Sequence, residues 1–179
     1  MQDIHSYYNE LAPAYDASRF GNSYGRFLHR QEHRALTRYL NGVNPAQALD
    51  LACGTGRMLE FAATGCDASP GMLEEAKKKH PGKNLIQGDA TCLPFPDASF
   101  DAVFSLHFFM HLDRATTRQV WQEIHRVLRP GGKFVFDFPS EKRRNFTGGH
   151  HRRQWHGSNA LSMQFLLEQT PHQWRLRRS

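Results

Sequence analysis

Residues 48–57 read ALDLACGTGR, an apolar run that breaks into a glycine turn. A strand followed by such a turn brings bare backbone close to a ligand, because Gly54 and Gly56 lack a Cβ and can adopt positive φ. The dinucleotide fingerprint G-x-G-x-x-G would need glycine or alanine where the chain has Leu59. A P-loop would end in Gly-Lys-Ser/Thr, which the residues after Gly56 do not supply. The pattern therefore predicts a nucleotide-type pocket for a ligand without a phosphate chain.

Three further segments follow the turn in an order typical of one enzyme family. They are CDASPGMLEEA at 66–76, QGDATCLPFPDASFDAVFSLHFFMHL at 87–112 and EIHRVLRPGGKFVFDF at 123–138. With LDLACGTGR they resemble the class I S-adenosylmethionine-dependent methyltransferases, within them the small-molecule, type 11/25-like branch. The resemblance covers residues 46–138. It implies an enzyme that transfers a methyl group from S-adenosyl-L-methionine to a small-molecule acceptor and releases S-adenosyl-L-homocysteine.

Strand and helix patterns alternate along the chain, which predicts an α/β fold. This alternation indicates a Rossmann-like, doubly wound, mostly parallel sheet with helices on both faces. Ligand binding is then expected at the carboxyl ends of the strands, near the switch in strand order. Strands are predicted over 46–51, 84–88, 99–105 and 133–138. One helix is predicted over 69–80, and a second contains Val120, Ile124 and Val127 and is ended by Pro130.

The 179 residues, 39% of them apolar, suit a single domain over 1–179 with one core. Within it we expect three parts. N-terminal lid helices over 1–42, divided near Gly21-Asn22, precede a cofactor-binding core over 46–138 and a basic C-terminal segment over 139–179.

The net charge of +6 comes from the end of the chain, since 1–140 carry 15 basic and 15 acidic side chains and 141–179 carry 8 and 2. Such a segment is compatible with nucleic-acid binding, but without aromatics on an RNA-binding module it is more often a solvated end. The three cysteines form no C-x-x-C pair and no stretch is apolar enough to cross a membrane, which predicts a cytoplasmic protein without a membrane partner. His150, His151 and His156 lack a cysteine or carboxylate at a closed-site spacing, so no metal site is predicted.

The resemblance implies a cofactor site at the ends of the strands. Asp50 would face the methionine ammonium, Asp67 would accept the ribose hydroxyls, and Asp89 would read the adenine amino group. Lid side chains such as Tyr8 would fold over the sulfonium, where an aromatic face gains cation–π attraction. The full set implied is Tyr15, Arg19, Asp50, Ala52, Cys53, Gly54, Gly56, Asp67, Ala68, Met72, Asp89, Ala90, Thr91, Ser105 and Leu106.

The implied reaction is an in-line displacement at the sulfonium methyl group, which needs few catalytic side chains. His107, after the fourth strand, is the candidate general base for a hydroxyl, amine or acidic carbon. The alternative, a histidine that only packs or hydrogen-bonds, is equally open. Two other functions stay open as well. One is a protein of the same fold that binds S-adenosylmethionine or S-adenosylhomocysteine without turnover, and the other is an RNA methyltransferase, which only the basic segment supports.

Two features depart from the family pattern. Only ten residues, Arg57 to Cys66, separate Gly56 from Asp67, so either the crossover is reduced to a stub helix and a short second strand or residues are absent from the chain. At the other end, a helix predicted over 161–170 and a strand over 173–178 leave the C-terminal edge of the sheet truncated by one strand. A homodimer, or the arginines of the segment, would cover that edge.

Overall fold

A computed structural model describes residues 4–138 and Phe165. Five strands form one parallel sheet in the order β3-β2-β1-β4-β5. Their bounds are β1 Ala48–Leu51, β2 Thr64–Asp67, β3 Asn84–Gln87, β4 Phe100–Ser105 and β5 Leu128–Phe136. The strand order reverses between β1 and β4, so the predicted doubly wound sheet and its switch point are confirmed.

Three helices precede the sheet: α1 Ile4–Leu11, α2 Tyr15–Phe20 and α3 Ser23–Tyr39. The predicted division near Gly21-Asn22 is confirmed, and the Asn22 side chain caps α3 by accepting a hydrogen bond from the Gly25 N–H at 2.8 Å. A 3-10 turn over Ala12–Ala14 makes a second division that the sequence analysis did not predict. Pro13 lies in this turn, and it has no N–H with which to continue α1.

Two helices follow β2 and β4: α4 Pro70–Lys79 and α5 Arg114–Val127. The cap predicted at Ser69 is confirmed, because its hydroxyl accepts a hydrogen bond from the Met72 N–H at 3.2 Å. Asp113 caps α5 in the same way, with Thr116 as donor at 2.7 Å. Helix α5 ends at Val127, before Pro130, and β5 begins directly after it at Leu128. Among the described residues, no helix is long and apolar enough to cross a membrane.

Helices cover both faces of the sheet, as predicted. Because side chains alternate along a strand, neighbouring residues of β1 and β4 pack on opposite layers. One layer joins Leu36 of α3 and Leu40, the residue after this helix, to Ala48, Ala102 and Phe104. The other joins Val120, Trp121, Ile124 and Val127 of α5 to Leu49, Leu51 and Val103.

The crossover between β1 and β2 contains no helix, so the predicted stub helix is wrong. Residues 52–63 instead form successive tight turns, in which the Gly56 N–H donates to the Cys53 carbonyl and the Leu59 N–H donates to the Gly56 carbonyl. The short second strand is confirmed. Met58, Leu59 and Ala62 are buried, so the turns fill the space that a crossover helix would otherwise fill. The helix and strand predicted over 161–170 and 173–178, and the truncated edge, lie outside the described residues apart from Phe165.

Substitution of Gly56 should destabilise the fold. In Gly56→Ala the new Cβ would lie 2.8 Å from Leu59 Cδ1 and 3.0 Å from His80 Cδ2, at a φ of +79°. We expect a loss of about 1–3 kcal/mol in the free energy of unfolding, measured by urea denaturation. Gly82→Ala is the control, because nothing lies within 4 Å of its added Cβ. Equal urea midpoints for the two variants would contradict this account of the turn.

Candidate active site

A cavity of about 280 Å³ lies where β1, β2, β3 and β4 end, at the switch in strand order. Many of the residues predicted from the sequence line it. They are Tyr15, Ala52, Gly54, Asp67, Ala68, Met72, Asp89, Ala90, Thr91 and Leu106, together with His107. The fold therefore brings residues from five separate chain segments to one wall, although these segments are far apart in the sequence.

Five predicted residues are not part of this wall: Arg19, Asp50, Cys53, Gly56 and Ser105. Burial raises the pKa of Asp50 well above its ordinary value, since its carboxyl group lies inside the sheet. Arg19 donates to the Tyr7 hydroxyl at 3.1 Å. Gly56 packs against α4, since a Cβ on it would lie 3.1 Å from the Ala76 Cβ. The Ser105 hydroxyl is wholly buried and has no hydrogen-bond partner within the described ranges.

Asp67 joins the glycine turn to the start of α4. Its Oδ2 accepts a hydrogen bond from the Gly54 N–H at 2.8 Å, and its Oδ1 accepts one from the Ser69 N–H at 2.9 Å. Because each carboxylate oxygen has a second lone pair, the group can still accept hydrogen bonds from a ligand in the cavity. Gly54 leaves room for that ligand, since a Cβ on it would meet only the Met72 sulfur, at 4.0 Å.

Asp89 makes a compact turn after β3. Its Oδ1 accepts hydrogen bonds from the Thr91 N–H and from the Thr91 hydroxyl, both at 2.8 Å. This turn fixes the backbone of Ala90 beside the cavity. The two acidic residues that end or follow neighbouring strands thus line the same space.

The N-terminal helices make polar contacts with segments that surround the cavity. Asn9 of α1 accepts hydrogen bonds from the Ser69 hydroxyl at 2.6 Å and from the Gly71 N–H at 2.9 Å. Asp16 of α2 accepts one from the Thr55 hydroxyl at 2.6 Å. These contacts join α1 and α2 to the start of α4 and to the glycine turn. That they act as a lid stays a prediction.

Tyr8 and His111 form a hydrogen-bonded pair in the cavity wall, with the Tyr8 hydroxyl 2.9 Å from His111 Nε2. Burial, with the nearby charges of His107 and Arg19, lowers the pKa of His111 to about 4. Burial also raises the pKa of Tyr8 above its ordinary value. His111 is therefore a neutral imidazole at neutral pH. Sequence reasoning gave it no role, and its only signal was its position four residues after His107.

His107 lies between two carboxylates. It adopts a φ of +59°, and its backbone N–H donates a hydrogen bond to Asp137 Oδ1 at 2.6 Å. Its ring nitrogen Nε2 lies 2.5 Å from Glu32 Oε1. Burial lowers the pKa of His107, but the Glu32 hydrogen bond and the charges of Asp137 and Glu32 outweigh it, so the pKa is raised overall. These contacts favour the protonated form of His107, which is less available to accept a proton. The pair of Tyr8 and neutral His111 is therefore a second candidate proton acceptor in the cavity wall.

Glu32 is itself paired twice. Its second carboxylate oxygen lies 2.7 Å from Arg57 Nη2, and the Arg57 guanidinium lies 4.0 Å from the centre of the Phe20 ring. Burial raises the pKa of Glu32, but the bonds and charges of His107 and Arg57 lower it more, so the carboxylate stays ionised. Donor atoms of Glu32, His107 and Asp137 lie within 4.8 Å of one another, as in a metal site. Because Arg57 and His107 already pair with these carboxylates, and the pKa of His107 is raised, we interpret the cluster as a network of polar and ionic pairs.

Glu32→Gln should destabilise the protein in a pH-dependent way. Removing one member of a buried ion pair costs about 3–5 kcal/mol. Because the pKa of His107 is raised in the folded state, its ion pair stabilises the protein fully below pH 6.5, and this stabilisation is lost as the pH rises through the pKa of the folded state. Because the pKa of Glu32 is lowered in the folded state, its ion pairs stabilise the protein above pH 4.5, and this stabilisation is lost as the pH falls through the pKa of the folded state. The stability difference from wild type should thus be largest between those values and shrink towards alkaline pH, in urea denaturation over a pH series.

Glu60→Gln is the matched control for this measurement. Glu60 pairs with His33 at 3.2 Å, but the two side chains are 54% and 40% exposed. An exposed pair contributes about 0–1 kcal/mol. If the two variants lose the same stability at every pH, the buried network is not the source of the effect.

Comparisons with known proteins agree with this geometry. The profile of a family described as a methyltransferase domain matches residues 49–136. The chain is 39% identical over 145 residues to a demethylmenaquinone methyltransferase of Streptomyces avermitilis, across 74% of this chain and 58% of that protein. It is 31% identical to a protein of Encephalitozoon cuniculi named as a methyltransferase, across 80% of this chain and 67% of that protein.

The same fold occurs in a solved complex of DhpI with S-adenosylhomocysteine, with a TM-score of 0.59 and 26% identity over 75% of this chain and 68% of that chain. The chain spans only 53–58% of the length of three demethylmenaquinone methyltransferases that it matches. The matched region nevertheless contains the glycine turn, the acidic strand ends and the switch point. The chain therefore belongs to the class I S-adenosylmethionine-dependent methyltransferase family.

Proposed function

We propose that the chain binds S-adenosylmethionine in this cavity and transfers its methyl group to a small-molecule acceptor. The observation that carries the proposal is that Asp67 and Asp89, from the ends of two adjacent strands, line one cavity together with Gly54. Carboxylates accept hydrogen bonds from ribose hydroxyls and from an adenine amino group. A glycine at positive φ lets a ligand approach the backbone closely.

Other residues of the cavity wall suit the reactive part of this cofactor. The bound cofactor would supply a methyl group on a positively charged sulfur, which leaves as a neutral thioether. Tyr8 and Tyr15 line the cavity, and aromatic faces attract a cation such as a sulfonium. Helices α1 and α2 would also exclude water, which leaves this chain mainly the tasks of alignment and desolvation.

We further propose that the acceptor is an aromatic compound with a hydroxyl group, such as a reduced quinone. Apolar side chains, among them Ile4, Phe108, Leu112 and Val120, line the cavity beside His111. Among the described residues, the acidic side chains that line the cavity are Asp67 and Asp89, and both are assigned to the cofactor. No further carboxylate in this wall would pair with an amine acceptor. Relatives named demethylmenaquinone methyltransferase support the same class of acceptor.

Tyr8 and His111 would take the proton of the acceptor. With its own hydrogen donated to His111 Nε2, the Tyr8 oxygen can accept a hydrogen bond from an acceptor hydroxyl. The acceptor proton would then move to Tyr8 while the Tyr8 proton moves to neutral His111, which leaves an electron-rich acceptor facing the methyl group. The free cysteines Cys53, Cys66 and Cys92 support a reducing compartment, and we propose the cytoplasm.

Calorimetry with S-adenosylmethionine and S-adenosylhomocysteine tests the cofactor. Asp67→Asn removes the charge that receives the ribose hydroxyls, so we expect about tenfold to a hundredfold weaker binding of both nucleosides. Asp97→Asn is the control, since that side chain is 78% exposed and distant from the cavity wall. Wild-type protein that binds neither nucleoside, or a folded Asp67→Asn variant with unchanged affinity, would end the proposal.

A methyl-transfer screen over reduced quinones, other small hydroxyl compounds, amines and RNA tests the reaction. Tyr8→Phe should lower kcat by about a hundredfold with little change in cofactor affinity, because it removes one step of proton transfer. Tyr39→Phe, outside the cavity, should leave kcat unchanged. Nucleoside binding without transfer to any class of acceptor would instead favour a binding protein of this fold, and transfer to RNA alone would favour the RNA alternative.

A further inference from the structure

The outer face of α3 combines exposed arginines with exposed aromatic rings. Arg30, Arg34 and Arg38 follow one another at four-residue spacing, and Phe27 precedes them by three residues, so these side chains share one side of the helix. Phe27 is 49% exposed and Tyr24 is 58% exposed. They are the two large hydrophobic side chains that stand out as exposed in the described part of the chain.

The positive charge of this face is not balanced from within the helix. Glu32 is the one acidic residue of α3, and it lies on the opposite side, paired with His107 and Arg57. Within residues 4–138, no ion pair involves Arg30 or Arg34. Leu36, also on the inner side, packs against the sheet. The inner side of α3 thus holds the helix in the fold, and its outer side is left basic and aromatic.

We propose that this face of α3 docks on the surface of an anionic phospholipid bilayer. Arginines on the polar side of a surface helix attract acidic headgroups, and aromatic rings insert at the boundary between headgroups and acyl chains. The 17 residues of α3 form a rod of about 25 Å that can lie in the plane of the interface. Such docking requires no spanning helix. The proposal differs from the expectation of no membrane partner drawn from the sequence, which was based on the lack of a spanning segment.

RNA is a weaker candidate for this surface. Proteins that hold single strands combine a basic groove with stacking platforms along it. Here the rings and the arginines share the outer side of a single helix, which is the arrangement of an interfacial helix. The choice between the two partners is an outcome of the experiment below.

The docking face also lies close in sequence to the reactive end of the cavity. Helix α3 begins three residues after Phe20, whose ring centre lies 6.1 Å from that of His107. If the acceptor is an apolar quinone, docking would hold the cavity near the phase in which that acceptor dissolves. This last point rests on the proposed function, whereas the docking itself does not.

Co-sedimentation of the full chain with lipid vesicles tests the proposal. We expect binding to phosphatidylcholine vesicles that contain phosphatidylglycerol and none to phosphatidylcholine alone. Arg34→Gln should weaken binding about fivefold, and Arg30→Gln with Arg34→Gln about thirtyfold, because each basic residue near such a surface adds a similar increment. Lys77→Gln removes the same charge from an exposed position of α4 and should change binding less than twofold.

Phe27→Ser separates insertion from charge. It should weaken binding to the anionic vesicles by a similar factor at low and high salt, whereas the effect of Arg34→Gln should fade at high salt because of screening. Circular dichroism and calorimetry with S-adenosylmethionine would show that the variants are folded, independently of lipid. Failure of the wild type to bind anionic vesicles would overturn the proposal. So would binding that the α3 variants leave unchanged, or α3-dependent binding to RNA without binding to vesicles.

Discussion

The carboxylate of Asp67 is the contact on which the site depends. It accepts N–H bonds from Gly54 and Ser69, and so joins the turn after β1 to the first residues of α4. A glycine turn without that acceptor would leave buried N–H groups unpaired, which is costly away from water. The same carboxylate lines the cavity, so the group that shapes the pocket is also the one that we propose receives the ribose hydroxyls.

Helix α3 has separate tasks on its two sides. On the inner side, Leu36 packs on the sheet and Glu32 neutralises both Arg57 and His107. This network explains how His107, just after β4, keeps a positive φ, since strained backbone persists only where its surroundings fix it. On the outer side, the arginines and Phe27 remain for a partner outside the domain. A single amphipathic helix thus contacts the core through Leu36 and the cavity wall through His107, and exposes its other side at the surface.

The crossover after β1 shows how a short connection can be accommodated. A helix of even two turns and the return of the chain would need more length than these residues supply, so the chain makes tight turns instead. Apolar side chains of the turns, such as Met58 and Leu59, fill the layer under α3 and α4. Gly56 packs too closely on α4 to carry a side chain, and its role therefore lies in packing rather than at the cavity wall.

The α/β alternation, the N-terminal cap of α4, the glycine turn and the acidic residues at the strand ends could all be predicted from the sequence alone. These follow from local rules: apolar periodicity, backbone φ at glycine, and the topology that aligns the ends of parallel strands. The pKa shifts of the histidines depend instead on the packed fold. A pKa depends on burial and on charges distant in sequence, so Glu32, 75 residues away, raises the pKa of His107, while burial and the charges of His107 and Arg19 lower that of His111. No local pattern encodes those distances, because they exist only once α1 and α3 have packed against the sheet.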